Sequence, residues 1–121
     1  MKKQVITAGG VAGPYSPAIL TEHLIFTSGQ IPAGADGTLP KGIEAQTRQS
    51  IENVKAVLQK GGAGLADVVK TTIFLTDMGD FDTVNRVYAE YFKEPYPARS
   101  CVQVGRLPKG ALVEIEAVAA I

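Results

Sequence analysis

Residues 97–104, with the sequence PARSCVQV, contain the side chains best suited to chemistry. Two nearby prolines disfavour a helix here, so the segment should be a strand that begins at about Ala98. Side chains alternate between the two faces of a strand, which predicts that Arg99, Cys101 and Gln103 share one face. That face would carry a permanent cation and a thiol.

Arg99 presents a planar, five-donor cation that can grip a carboxylate through two parallel hydrogen bonds. The alternative is a structural ion pair with Glu114 or Glu116, which share a face of the last predicted strand. The carboxylate-binding interpretation is favoured, because a strand start is a good position from which to present such a group to a ligand.

Two further side chains could act beside this cation. Cys101 could be a nucleophile whose pKa is lowered by the guanidinium, although a small packed side chain is the simpler interpretation. Glu114 could position or deprotonate a water if its strand neighbours the Arg99 strand, as a short turn between them would allow. The single histidine, His23, lies outside this region and has no companions for a metal site.

Composition limits the classes of function. A chain of 121 residues makes one domain, and 12 basic against 12 acidic residues leave no overall charge to attract nucleic acid or an anionic membrane. The single cysteine excludes an internal disulfide, and residues 1–4 do not resemble a secretory leader. We therefore expect a cytoplasmic protein without a metal or a membrane span.

The hydrophobic pattern predicts both kinds of element. Tyr15 lies on an irregular loop, Ser28 ends a strand, and Gly29 would permit a close approach by a ligand or a neighbour. The strands are expected at 4–7, 23–28, 68–76, from 98 onward and at 112–119, with a brief extended segment at 38–39. The helices are expected at 43–60, ending at Gly61 and Gly62, and from a cap at Asp80 or Asp82, with Asn85 early in it, to Lys93.

This order predicts an α+β fold in which two helices lie on one face of a mixed sheet. The strand at 68–76 should place Val69, Thr71, Ile73 and Leu75 together on one face. This strand and the last one carry apolar residues on both faces, yet two helices can cover only one. The uncovered face should therefore meet another subunit.

Several segments together resemble the RidA family, also called the YjgF/YER057c/UK114 family of enamine and imine deaminases. The resemblance extends over nearly the whole chain and involves no departure at a motif position. The segments are PARSCV at 97–102, GRLPKG at 105–110, VEI at 113–115, GPYSP at 13–17, TSGQIP at 27–32, QSIENV at 49–54 and VKTT at 69–72.

The resemblance implies a single chorismate-mutase-like α+β domain over 1–121 that forms a homotrimer with ligand clefts between subunits. It implies hydrolysis, without a cofactor, of 2-imino acids such as 2-iminobutanoate and 2-iminopropanoate, or their enamines, released by pyridoxal-phosphate enzymes. The products would be a 2-oxo acid and ammonia. Arg99 would bind the substrate carboxylate and Glu114 the attacking water, as the catalytic pair. The other residues implied to line the cleft are Cys101, Tyr15, Ser28, Gly29 and Asn85.

Two other classes of function remain open. A non-catalytic module could use the same Arg99 cleft to bind and sense a 2-oxo acid. RNA cleavage has been attributed to some members of the family, but zero net charge and the lack of a basic stripe argue against it here. Neither the preferred substrate side chain nor the supplying enzyme can be predicted from the sequence.

Overall fold

Six strands and two long helices form the part of the chain that the computed structural model describes, which is residues 3–7, 11 and 13–121. No helix in this part is long and apolar enough to cross a membrane. The elements are β1 Gln4–Ile6, β2 Ala18–Leu20, β3 Leu24–Thr27, α1 Ile43–Lys60, β4 Val68–Leu75, α2 Phe81–Tyr91, β5 Ala98–Gln103 and β6 Val113–Ala120.

The strands form one sheet in the order β1-β2-β3-β6-β4-β5. The β4–β5 pair is parallel and the other pairs are antiparallel, which confirms the mixed sheet. The expectation that β5 and β6 are neighbours is wrong, because β4 lies between them. The chain crosses from β4 through α2 to β5, and a helical crossover of this kind places its two strands side by side and parallel.

Helix α1 has the predicted bounds and the predicted buried stripe. Thr47, Ile51, Val54 and Leu58 recur at helical spacing and are all fully buried. Beyond the helix end, Gly62 has a φ of 84°, a left-handed conformation that favours glycine. Helix–sheet packing is therefore encoded locally in this segment.

The predicted faces of β4 need one correction. Thr71, Ile73 and Leu75 are buried beneath the helices as expected, but Val69 is 47% exposed and Val68 is buried in its place. The pairing of β4 with β6 shifts register between Val68 and Lys70. Such a bulge adds one residue and reverses the alternation on one side of it.

The start of α2 also differs from the prediction. Asp80 occupies the N-cap position but its side chain makes no capping hydrogen bond. Instead, Asp77 accepts a hydrogen bond of 2.8 Å from the Gly79 backbone N–H in the short 3-10 turn before the helix. The acidic cap therefore lies one turn earlier than the sequence indicated.

Strand β2 was not predicted, and it forms an antiparallel hairpin with β3. The turn is closed by a 2.8 Å hydrogen bond from the Thr21 N–H to the Leu24 carbonyl. The brief extended segment expected at 38–39 is not a strand. The glycines that follow the first predicted strand, Gly9 and Gly10, lie outside the described residues.

The sheet has one covered and one open face. Both helices pack on the covered face, where buried residues of β4 and β6 join those of α1 and α2 in a single core. Within the described chain, the opposite face carries large apolar side chains without a covering element, and Phe26 and Val102 are 44% and 43% exposed. This arrangement confirms the α+β fold with two helices on one face.

Candidate active site

Arg99 lies on the covered face of the sheet, at its β5 edge. It pairs in register with Thr71 of β4, whose side chain is fully buried beneath the helices. The guanidinium carbon is 5.0 Å from the centroid of the Tyr88 ring and 5.5 Å from that of Phe81, both on α2. Two aromatic faces thus hold the cation by cation–π attraction.

The alternative of an ion pair with Glu114 or Glu116 is wrong within this chain. Glu114 pairs with Phe74 and Glu116 with Thr72, positions that alternate with the buried residues of β4. Both carboxylates therefore lie on the open face, with the sheet between them and Arg99. Among the described residues, no carboxylate comes within ion-pair distance of this guanidinium.

A cavity of about 270 Å³ opens beside the guanidinium. Asn85 and Tyr88 from α2 and Tyr96 and Pro97 from the segment before β5 line it together with Arg99. The Asn85 Oδ1 is buried and has no hydrogen-bond partner among the described residues. This depression therefore combines a cation with polar amide atoms, and its size suits a small acid.

Cys101 follows Arg99 on the same face, as the strand alternation predicted. It pairs in register with the fully buried Ile73 and packs against the core. Burial raises the pKa of the Cys101 thiol, and the positive charge of Arg99 opposes that rise only in part. The thiol is therefore poorly suited to nucleophilic attack, which favours the pocket-wall interpretation.

Replacing Cys101 with serine should accordingly leave a working site. The imine hydrolysis that the family resemblance implies should fall only in part, because a pocket wall tolerates a small polar substitute whereas a nucleophile does not. Steady-state kinetics on Cys101→Ser and Cys101→Ala would measure this. Complete inactivation of both variants, with a thiol adduct captured in the unmodified protein, would restore the nucleophile interpretation.

Glu114 projects from β6 on the open face, next to Gly29. Phe26 pairs with Val118, and Gln30 bridges to Ile115. The five residues 26–30 therefore lie opposite only the four residues 115–118. Gly29 lies so close to Glu114 that a Cβ at Gly29 would clash with the carboxylate Oε2. Gly29 therefore permits the close approach predicted for it, and the group that approaches is Glu114.

The electrostatic setting of Glu114 makes it a stronger base than an ordinary glutamate. Burial raises the pKa of its carboxyl, and the negative charge of Glu116 raises it further. A carboxylate with a raised pKa accepts a proton more readily at neutral pH. Glu114 thus has the character required of a group that activates water.

Ser28 and Tyr15 lie near this carboxylate side of the molecule. The Ser28 hydroxyl donates a 2.6 Å hydrogen bond to the Ser16 carbonyl, which ties the end of β3 to the loop that carries Tyr15. Tyr15 is 52% exposed and, with Gly29, lines an open cavity of about 540 Å³. The loop therefore presents an aromatic side chain above the strand end.

The predicted site residues thus form two groups. The cation group, Arg99, Cys101 and Asn85, lies on the helix-covered side of β5. The carboxylate group, Glu114 with the adjacent Gly29, lies across the sheet. Ser28 precedes Gly29 in the chain, and Tyr15 lines a cavity with Gly29 and with Asn53, Ala56 and Val57 of α1. A single chain does not bring Arg99 and Glu114 together.

Sequence reasoning missed the aromatic support of Arg99. Neither Phe81 nor Tyr88 is among the residues that the sequence predicts for the site. Their spacing of seven residues places them on one helix face, which is the signal that could have found a shared target. In the described residues, no three His, Cys, Asp or Glu side chains lie close enough together to hold a metal ion.

The fold and site define a class of small α+β protein, with an arginine on one side of a single sheet and a half-buried glutamate on the other. Comparison with known proteins shows the family. The family model described as Endoribonuclease L-PSP matches residues 5–121. The chain belongs to this family, the YjgF/RidA family that its motifs resemble.

Several relatives match over almost the whole chain. A RutC family protein from Haemophilus influenzae is 51% identical over 117 residues, covering 93% of this chain and 90% of its own. The 2-iminobutanoate/2-iminopropanoate deaminase of Escherichia coli K12 is 46% identical over 125 residues, covering 98% of both. The crystal structure of E. coli TdcF with bound serine superposes with a TM-score of 0.91 at 44% identity, covering 98% of both chains.

These relatives confirm the predicted family and its fold. They also confirm, at the level of the family, the prediction of an enzyme, since relatives across the full chain are named as deaminases. The names of the relatives do not all state a substrate. Some name the imino acids, whereas others give only the RutC family label.

Proposed function

We propose that this protein hydrolyses 2-imino acids such as 2-iminobutanoate and 2-iminopropanoate, or their enamine tautomers, to 2-oxo acids and ammonia. The observation that carries the proposal is the division of the site between the two faces of the sheet. Arg99 on one side has no acidic partner in the described chain, and Glu114 on the other has a raised pKa. Each group supplies half of what imine hydrolysis needs.

A homotrimer would unite the two halves. The exposed apolar side chains of the open face, Phe26 and Val102 among them, form a surface suited to burial against another subunit. Closed cyclic packing of such faces repeats one interface around an axis. Arg99 lies on the covered face but on the edge strand β5, so each interface can bring it, around that edge, near Glu114 of the next subunit. The trimer itself is the arrangement implied by the family resemblance.

Arg99 would anchor the substrate in this cleft. Its N–H donors can bind the substrate carboxylate in a bidentate manner, through charge-assisted bonds worth about 1.5–3 kcal/mol each. The serine bound to TdcF is an α-amino acid and carries a carboxylate of the same kind. Arg99 would thereby select acids over neutral imines.

Glu114 would direct the water. As the water oxygen adds to C2 of the protonated imine, Glu114 accepts a water proton and a tetrahedral carbinolamine forms. Glu114 then returns the proton to nitrogen, and ammonia leaves with the C–N electron pair. As the C=O bond forms, the hydroxyl gives its proton to Glu114, which passes it to the departing ammonia and is left as a carboxylate. An iminium carbon is already electrophilic, so orientation and proton transfer suffice.

The test is a coupled assay in which an amino-acid oxidase or a dehydratase generates the imine in situ. We expect the protein to speed imine disappearance well above background. Glu114→Gln should lower kcat by about a hundredfold, within the range for general acid–base groups, while 2-oxobutanoate binding is largely kept. Glu52→Gln, on the exposed surface of α1, serves as the matched control.

The non-catalytic alternative gives a different pattern in the same assay. A module that only binds 2-oxo acids would leave imine decay at the background rate and would still bind 2-oxobutanoate. RNA cleavage would require turnover of an RNA substrate by the same preparation. The expected absence of nucleic-acid binding stays a prediction, supported by the zero net charge.

A further inference from the structure

The aromatic contacts of Arg99 take the place that an acidic partner usually fills. Arginines that lie partly buried are commonly paired with carboxylates, because an unpaired charge is costly to remove from water. Here the guanidinium has the rings of Tyr88 at 5.0 Å and Phe81 at 5.5 Å, and no acidic partner among the described residues. The cation is therefore held without being neutralised.

The Tyr88 ring is itself fixed by two contacts. Its hydroxyl shares a 2.8 Å hydrogen bond with the Thr71 hydroxyl, and its ring stacks on Phe92 with centroids 4.3 Å apart. Tyr88 is only 5% exposed. Thr71 is also the residue paired with Arg99 across the sheet, so strand, ring and guanidinium form one connected unit.

A π face and a carboxylate hold a guanidinium in different ways. A carboxylate occupies the N–H donors and cancels the charge, whereas a ring attracts the cation through its face and leaves the N–H edge open. A ligand carboxylate would then be the first anion that these donors meet. Holding the fork in one orientation beforehand also reduces the entropy lost on binding.

We propose that Phe81 and Tyr88 are positioning residues that hold the Arg99 guanidinium in place of an acidic partner and so set the affinity for substrates bearing a carboxylate. This inference rests on the proposed role of Arg99 as the substrate anchor. It goes further by assigning carboxylate selectivity to two aromatic side chains of α2.

A substitution at Phe81 can test the positioning role without disturbing the packing of the core. Tyr88 belongs to the buried core, but Phe81 is only partly buried and is not among the residues that form it. Loss of the Phe81 ring should therefore change Arg99 more than it changes folding. The matched change Phe81→Tyr keeps a ring at the same place.

The experiment measures 2-oxobutanoate binding by titration calorimetry together with imine-hydrolysis kinetics. We expect Phe81→Leu to raise Kd for 2-oxobutanoate and KM for the imino acid by about three- to tenfold, with kcat changed less than about twofold. Phe81→Tyr should stay within about twofold of the unmodified protein in both. Binding of the neutral 2-oxobutanamide should not distinguish the variants.

Tyr88→Phe provides a second, independent variant. It keeps the ring and removes the hydroxyl bond to Thr71, so we expect a lower Tm with Kd nearly unchanged. The inference is overturned if Phe81→Leu binds 2-oxobutanoate like the unmodified protein, or if Phe81→Tyr loses as much affinity as Phe81→Leu. Absence of 2-oxobutanoate binding by the unmodified protein would overturn it as well.

The results of these experiments can contradict the proposed function and the positioning role independently of each other. If the unmodified protein binds 2-oxobutanoate but does not speed imine decay, the deaminase proposal fails. The predicted order of affinities among the Phe81 variants then still supports or overturns the positioning role by itself.

Discussion

Replacing Arg99 with alanine should lower kcat/KM for 2-iminobutanoate hydrolysis by about thirtyfold or more. The change removes both charge-assisted bonds to the substrate carboxylate, which corresponds to about 2–4 kcal/mol of transition-state stabilisation. The fold should survive, because the guanidinium contacts aromatic rings and no carboxylate of the described chain is left uncompensated. The coupled assay measures the loss of kcat/KM, and a thermal melt of the same sample measures the stability of the fold.

Arg99→Lys is the matched variant for this prediction. A lysine keeps the charge but lacks the planar fork, so it should recover only part of the lost activity. An Arg99→Ala protein that melts many degrees lower while retaining its turnover per folded molecule would assign Arg99 to the scaffold. A lysine variant with full activity would show that a point charge is sufficient.

Placing a charge at Val102 should abolish assembly and activity together. Val102 lies on the open face of the sheet and is 43% exposed in the single chain, so an aspartate there costs the isolated subunit little. In the proposed interface the same aspartate would be a buried unpaired charge, at about 3–5 kcal/mol for each copy. Light scattering on Val102→Asp should show a monomer of 12.7 kDa instead of a trimer with three times that mass.

Val102→Ala is the neutral control for this substitution and should remain trimeric and active. The activity of Val102→Asp should fall to near the uncatalysed rate, since neither half of the site can work alone. A stable Val102→Asp monomer with normal turnover would show that one chain contains the whole site. If the unmodified protein itself is a monomer, the proposed trimer is wrong.

The elements with a strong local pattern could be predicted from the sequence. Helix α1 has a buried stripe at helical spacing and glycines at its end, and the start of β5 follows from the prolines before it. Each of these signals acts within a few residues. Strand β2 was missed because its three residues are too few to show a clear alternation.

Strand order and register could not be predicted in the same way. The connection from β5 to β6 is short in sequence, but the β4–α2–β5 crossover places β4 between them, and pairing of this kind depends on the whole chain. The bulge beside Val69 reversed the predicted position of that side chain. A one-residue slip leaves the local composition unchanged, so the pattern contains no signal for it.

The arrangement of the proposed site residues could be predicted only in part. The face shared by Arg99 and Cys101 followed from strand alternation, and the close approach at Gly29 followed from its missing side chain. The separation of Arg99 from Glu114 by the sheet depends on strand order, which the short-turn argument had wrong. The aromatic contacts of Arg99 depend on where α2 lies over β5, which is a tertiary feature.

Mixing two inactive variants tests most directly whether the site is shared between subunits. Arg99→Ala and Glu114→Gln chains, unfolded together in equal amounts and refolded, should recover about a quarter of the unmodified activity. In the proposed trimer each cleft takes Arg99 from one subunit and Glu114 from the next, so random assembly would leave about one cleft in four with both groups intact. Each variant refolded alone should stay inactive. A mixture no more active than the mean of its two parents would contradict the shared cleft.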